Sequence, residues 1–293
     1  MTTVAQASSG KTHRDENFPV ASFLIDRRHR ATILAFYRFV RAADDVADHP
    51  TLVAQEKLAL LDRLEETLLG ESEAASEAFA LRAALAERDL STRHAQDLLN
   101  AFRQDVTKLR YRDWDDLIDY CAYSAMPVGR FVLDVHGESR STWPTSDALC
   151  AALQIINHLQ DCAADYRRLD RVYIPLDALE RSGTGVDALA AARASPALRA
   201  CLSALAARTG KLLDEAQPLA TLVRDLRLGL EISVIHRLAR SLVRRLARRD
   251  PLSERVHLTT IGFAGLGAIS MIEGALRRVV RSVASAGQKV EQS

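Results

Sequence analysis

The chain has 293 residues, rich in Ala, Leu and Arg, with 13 Gly, 8 Pro and 5% aromatic residues, a composition that favours helices over sheets. Lys+Arg 39 against Asp+Glu 38 leaves a formal charge of +1, so no net field draws the protein onto nucleic acid. Cys121, Cys150, Cys162 and Cys201 stand far apart, with neither CxxC pairing nor zinc spacing, and read as reduced core thiols in a cytoplasmic protein.

The opening MTTVAQASSGKTHRDE lacks the apolar core of a signal peptide, so residues 1–15 are expected to be a flexible tail. Helical periodicity then recurs from Ala31 to Val283 without strand patterns. Expected helix starts are Ser91, Asp113 with Asp116 three residues on, Thr145 before SDALCAALQII, and Ser195 with Pro196 at the first helical position. Expected breaks are His49-Pro50, Gly70 to Ser76, Gly137 to Pro144 and Asp250-Pro251. No repeat or domain boundary interrupts this pattern, which predicts one all-α catalytic domain over residues 16–283 and a flexible tail over 284–293.

The first helical segment carries Ile33, Phe36, Val40, Ala43 and Ala47 at core spacing, with Tyr37, Arg41, Asp44 and Asp48 on a parallel polar line. Carboxylates four residues apart repel unless a cation lies between them. For this pair alone, solvated carboxylates remain an equal reading. Arg41 offers a planar fork of donors suited to a diphosphate oxygen.

Pro127, in DYCAYSAMPVGRFVL, cannot donate to Tyr123 and predicts a helix kink. Ser124, Ala125 and Gly129 leave space around it, for a long apolar substrate or equally for close helix packing.

In QIINHLQDCAADYRRLDRVYIP, Gln154, Asn157, Asp161 and Asp165 share one face, with Leu153, Ile156, Leu159 and Ala163 apolar between them. Buried amides and carboxylates need partners, and an all-oxygen set points to Mg²⁺ rather than zinc or iron. The two faces turned toward each other would make a cage for Mg²⁺, which usually implies phosphate. His158 reads as a satisfied core or supporting histidine rather than a ligand. The irregular passage from Arg167 to Gly185 reads as a lid over the metals, or as an ordinary surface connection.

Arg237, Arg240, Arg244 and Arg248 form a basic stripe. A solvated face is its ordinary meaning, and peripheral attraction to a membrane its competitor. Leu258 to Ile272 is shorter than the roughly 20 residues of a spanning helix and is read as a buried last helix.

Together, YRFVRAADDVAD, YCAYSAMPVG and QIINHLQDCAADYRRLDRVYIP resemble the squalene/phytoene synthase family over about Asn17 to Arg281. The resemblance implies an all-α isoprenoid synthase fold with helices around a central cavity. It implies Asp44, Asp48, Asn157, Asp161 and Asp165 as ligands of a cluster of two or three Mg²⁺ ions. It places Tyr37, Arg41, Gln154 and Arg171 around a diphosphate and Tyr173 near the lid, with Asn17, Phe18, Tyr120, Ala125 and Gly129 completing the substrate site. The partner implied is a small-molecule prenyl diphosphate, with hand-over to or from other enzymes of squalene synthesis.

Within the family, ENFPVASFLIDRRHR resembles the hydroxysqualene synthases of bacterial hopanoid biosynthesis. The SxSF-type opening of the phytoene and presqualene diphosphate synthases is absent at Glu16 to Phe18, and Gln160 stands where they tend to have Arg. The chemistry implied is ionisation of presqualene diphosphate and capture of the rearranged cation by water, with Tyr37, Tyr120 and Phe131 as aromatic faces for the cation. With no nucleotide fingerprint, NADPH is not expected. The alternatives are presqualene diphosphate, squalene or phytoene synthesis with the same metals, or a non-catalytic helical interaction protein. DDVAD also satisfies the DDxxD of terpene cyclases and chain-elongating prenyltransferases, but the second motif, DxxxD, argues against both.

Overall fold

The computed structural model describes Val4 and residues 26–256 of the chain. The expected substrate contacts Asn17 and Phe18, the stretch from Leu258 to Ile272 and residues 284–293 lie outside the described residues. Among those described there are eleven α-helices and no strand. They are α1 (Arg27–Ala47), α2 (Ala54–Leu69), α3 (Ser76–Ala86), α4 (Arg93–Thr107), α5 (Trp114–Ser124), α6 (Met126–Val135), α7 (Trp143–Leu169), α8 (Leu176–Arg181), α9 (Pro196–Ala216), α10 (Leu219–Leu222) and α11 (Leu226–Leu246).

Short polar side chains start several of them. Asp26, Asp113, Ser195 and Asp225 accept hydrogen bonds from Arg28 N, Asp116 N, Leu198 N and Leu228 N, satisfying donors that have no partner inside the helix. The α2 helix stops at Gly70, whose φ of +91° suits a residue without Cβ.

Three boundaries differ from expectation. The α4 cap is Thr92, one residue past Ser91, although the Ser91 hydroxyl still accepts from Arg93 N. The α7 helix begins at Trp143 rather than near Thr145, because Pro144 fits its first turn, where no N–H is needed. Pro127 does more than kink its helix. Ala125 leaves helical geometry at φ −131° and ψ −45°, so the segment divides into α5 and α6, with Pro127 at the start of α6.

The core has two clusters. One is built by α1 to α4, including Ile33, Phe36, Phe39, Leu61, Leu64, Leu81 and Leu99, and it also buries Val4 from the segment read as a tail. The other joins α5, α7, α9 and α11 through Leu117, Ile155, Ile156, Leu159, Leu202 and Leu242. The α6 helix belongs to both: Phe131 stacks on Phe36 with ring centroids 3.8 Å apart, while Leu133 enters the second cluster. The first aspartate pair rides on α1 and the second on α7, so each arrives from a different cluster.

Candidate active site

One polar cleft is lined by Asp44 and Asp48 at the end of α1, and by Gln154, Asn157, His158, Asp161 and Asp165 along α7. Phe102 and Asp105 of α4, Tyr120 and Ser124 of α5, and Leu169, Arg171 and Tyr173 complete its walls. Its volume is about 180 Å³. Five aspartates thus face a space lined by a single arginine, an excess of negative charge that calls for a cation.

The carboxylates register one another. Asp165 is pushed up to about 7, first by burial, then by Asp161 beside it and Asp48 across the cleft. Asp44 is also raised, by burial and then by Asp48, against the pull of Arg41. Arg41 donates to Asp44 Oδ2 at 2.7 Å and to Asp45 Oδ1 at 2.9 Å, so its fork is engaged by its own helix.

Beneath them lies a buried network. Asp105 accepts from the Tyr120 hydroxyl at 2.8 Å and the Tyr173 hydroxyl at 2.8 Å, and Arg171 Nη1 lies 4.0 Å from Asp105 Oδ1. Burial lifts Asp105 to about 6, while Arg171 and the two hydroxyls oppose the shift. The His158 ring stacks on Tyr173 with centroids 3.5 Å apart and planes 14° from parallel. Burial, assisted by Arg171, lowers His158 to about 3, which makes it a neutral imidazole at pH 7. Contrary to the expectation of a satisfied histidine, its buried Nε2 has no hydrogen-bond partner.

The donors suit a hard divalent ion, being carboxylate and amide oxygens throughout. They do not close a cage, however. No three cleft carboxylates bring ligand atoms within 4.8 Å of one another; among the described residues His29, His136 and Asp225 do so. At that second place Arg28 and Arg88 already contact the two nitrogens of His29, and a dication would meet both guanidinium groups. An ion in the cleft would take one or two protein carboxylates and fill its shell from phosphate oxygens and water, the usual habit of Mg²⁺.

The segment after α7 is a floor rather than a lid. Arg171, Val172, Tyr173 and Ile174 are buried, and Val172 N and Leu176 N donate to Leu109 O and Tyr111 O at 2.9 Å each. Buried backbone tied to a neighbouring segment cannot swing over a substrate.

A second cavity, apolar and about 250 Å³, is lined by Ile33, Phe36, Phe131, Leu149, Leu153 and Ile232 among others. It shares α1 and α7 with the cleft: Leu153 faces the cavity and Gln154 the cleft.

The squalene/phytoene synthase sequence model matches residues 11–261. The chain belongs to the squalene/phytoene synthase family. Enzymes of this family act on prenyl diphosphates with divalent metal ions. Its relatives include a protein named hydroxysqualene synthase from Rhodopseudomonas palustris, 61% identical over 92% of this chain and 93% of that one. Another of that name, from Zymomonas mobilis, is 50% identical over 89% of each. The crystal structure of squalene synthase HpnC from Alicyclobacillus acidocaldarius superposes with a TM-score of 0.67 at 30% identity, covering 93% of both chains. A dehydrosqualene synthase in complex with ligand, 21% identical, shares the fold with a TM-score of 0.78 over 94% of this chain and 96% of that one.

Within this family fold, Asp44, Asp48, Gln154, Asn157, Asp161, Asp165, Tyr120, Arg171 and Tyr173 are brought to one cleft, as the motifs suggested. Gly129 and Phe131 line the apolar cavity instead. Ala125 is buried between α5 and α6, and half-buried Tyr37 lines neither space. Asp105 escaped the sequence reading. Its signal is faint, a single acid following Leu98, Ala101 and Phe102 on the buried stripe of α4.

On α11, Arg240 pairs with Asp214 and Arg244 is exposed, as is Arg248 just beyond the helix end. Among the described residues no helix is long and apolar enough to cross a membrane.

Proposed function

We propose that this chain converts presqualene diphosphate and water into hydroxysqualene and diphosphate. What carries the reading is a single arrangement: two aspartate faces from separate helices line one cleft, next to an apolar cavity that shares both helices. Relatives named hydroxysqualene synthase, covered almost end to end at 50–61% identity, favour this step over the family's other reactions.

In this reading Asp44, Asp48, Asn157, Asp161 and Asp165 hold Mg²⁺, which when bound neutralises the diphosphate and helps it depart. Gln154 and Arg171 border the diphosphate, and Arg41 fixes Asp44 for its task. The prenyl chains lie against Ile33, Phe36, Phe131 and Leu153. The carbon–oxygen bond breaks with its electron pair going to diphosphate, the cation rearranges, and water adds an oxygen lone pair to carbon. Tyr120, which lines the cleft, would offer an aromatic ring to the developing positive charge. The exposed Arg244 and Arg248 suit peripheral contact with an anionic membrane, from which so apolar a substrate would be drawn.

Incubation with presqualene diphosphate and Mg²⁺ but no NADPH, read by mass spectrometry, tests this function. Hydroxysqualene is the expected product. Inertness toward presqualene diphosphate with efficient turnover of farnesyl diphosphate would overturn it.

A further inference from the structure

Besides Arg171 Nε, two buried polar atoms of the cleft have no hydrogen-bond partner: His158 Nε2 and Ser124 Oγ. Such atoms are uncommon inside proteins and cost roughly 1–3 kcal/mol each when left unmet, so they call for a physical reason. They belong to adjoining walls. The rings of Tyr120 and His158 lie 6.0 Å apart, and Ser124 follows Tyr120 by one helical turn on α5. A buried water requires two or more polar partners, and His158 and Ser124, which both line the cleft, offer two.

We propose that His158 Nε2 and Ser124 Oγ hold the water molecule that captures the prenyl cation, deciding that the product is an alcohol. This rests on the function proposed above. Nε2 of the imidazole accepts one hydrogen bond from water, and the Ser124 hydroxyl takes part in a second. The oxygen lone pair that remains points into the cleft, where the cation forms. Stacking on Tyr173 fixes the plane of the imidazole and therefore the direction of its acceptor.

The balance closes without any redox partner. Water forms a carbon–oxygen bond with the cation, and the oxonium proton passes to a diphosphate oxygen, the strongest base the reaction leaves nearby. Without a held water, the same cation loses a proton from carbon to diphosphate and ends as a hydrocarbon with an added double bond. His158 and Ser124 are positioning residues, since they act through water and exchange no bond with the substrate.

The test is product partition: the share of products carrying hydroxyl, a ratio independent of how fast diphosphate leaves. Presqualene diphosphate and Mg²⁺ are supplied in ¹⁸O-water to wild type, His158→Phe, His158→Gln and Ser124→Ala, and products are separated by gas chromatography and mass spectrometry. Phe keeps the stack on Tyr173 but offers no acceptor, so the alcohol-to-hydrocarbon ratio should fall at least about tenfold. Gln restores an acceptor oxygen and should recover part of that loss, with Ser124→Ala between the two. An unchanged ratio in His158→Phe overturns the proposal, as does a higher KM with the ratio unchanged, which would mean that His158 holds diphosphate. If His158→Phe does not fold, His158→Leu is read by the same criterion. A wild type that releases no diphosphate from presqualene diphosphate defeats the proposed function itself, an outcome distinct from a wild type that makes alcohol and variants that do so equally well.

Discussion

Arg171 Nη1 donates to Asp48 Oδ1 at 2.9 Å, tying the segment after the second aspartate pair to the last turn of the first. The same nitrogen lies 3.3 Å from the Tyr173 hydroxyl and 4.0 Å from Asp105 Oδ1. Arg171 thus spans the cleft floor, balancing Asp105 from below and Asp48 from the side. Removing it would leave Asp105 buried beside unopposed negative charge.

Arg171→Ala should destabilise the fold by about 3 kcal/mol, the ordinary cost of orphaning a buried ionic partner. Arg171→Lys, which keeps the charge but loses the fork, should recover part of it. Urea denaturation checks both, and an Arg171→Ala midpoint equal to wild type would remove Arg171 from this structural role.

Stability should depend on pH and on divalent ions together. Asp44, Asp165 and Asp105 have folded-state values raised above 3.8, the last two to about 7 and about 6. A raised carboxylate binds its proton more tightly when folded, so its contribution is greatest at low pH and is lost as pH climbs through the folded value. In EDTA, Tm should fall between pH 5 and pH 8. Added Mg²⁺ should restore it, and more at pH 8 than at pH 5, because the carboxylates must ionise to bind. A melting temperature in EDTA that rises or stays level across this range would show that these groups carry no such shift.

Gly129 lies where α6 meets α7, and a Cβ added there would stand 2.4 Å from Ser146 Oγ and 2.6 Å from Cys150 Sγ. All three residues line the apolar cavity. Gly129→Ala should cost about 1–3 kcal/mol through overpacking and should narrow the space for the prenyl chains. The expected signature is a lowered Tm together with a raised KM for the prenyl diphosphate. A variant as stable and active as wild type would mean that the two helices part without strain.

The aspartate faces were legible in the sequence because a helix translates spacing into direction: Asp44 and Asp48, or Asp161 and Asp165, four residues apart, must share a side. That the two sides meet followed from the family resemblance, since nothing local in α1 specifies α7. Asp105 stayed hidden because its partners Tyr120, Arg171 and Tyr173 lie 15 to 68 residues away and become neighbours only after packing. Pro127 signalled a disturbance without its extent, which depended on whether Ala125 could leave helical geometry. The supposed lid was misjudged for a similar reason. Tyr173 and Pro175 look irregular in one dimension, yet the backbone bonds to Leu109 and Tyr111 that bury them are long-range.

Diphosphate release by Asp44→Asn and Asp161→Asn, followed with presqualene diphosphate over a range of Mg²⁺, tests the central claim most directly, because it asks whether carboxylates from two distant helices serve one metal-dependent step. Each variant should stay folded and lose at least about 100-fold in rate, the scale expected when electrostatic support for a leaving group is removed. Wild-type rates and unaltered Mg²⁺ dependence in both variants would contradict it.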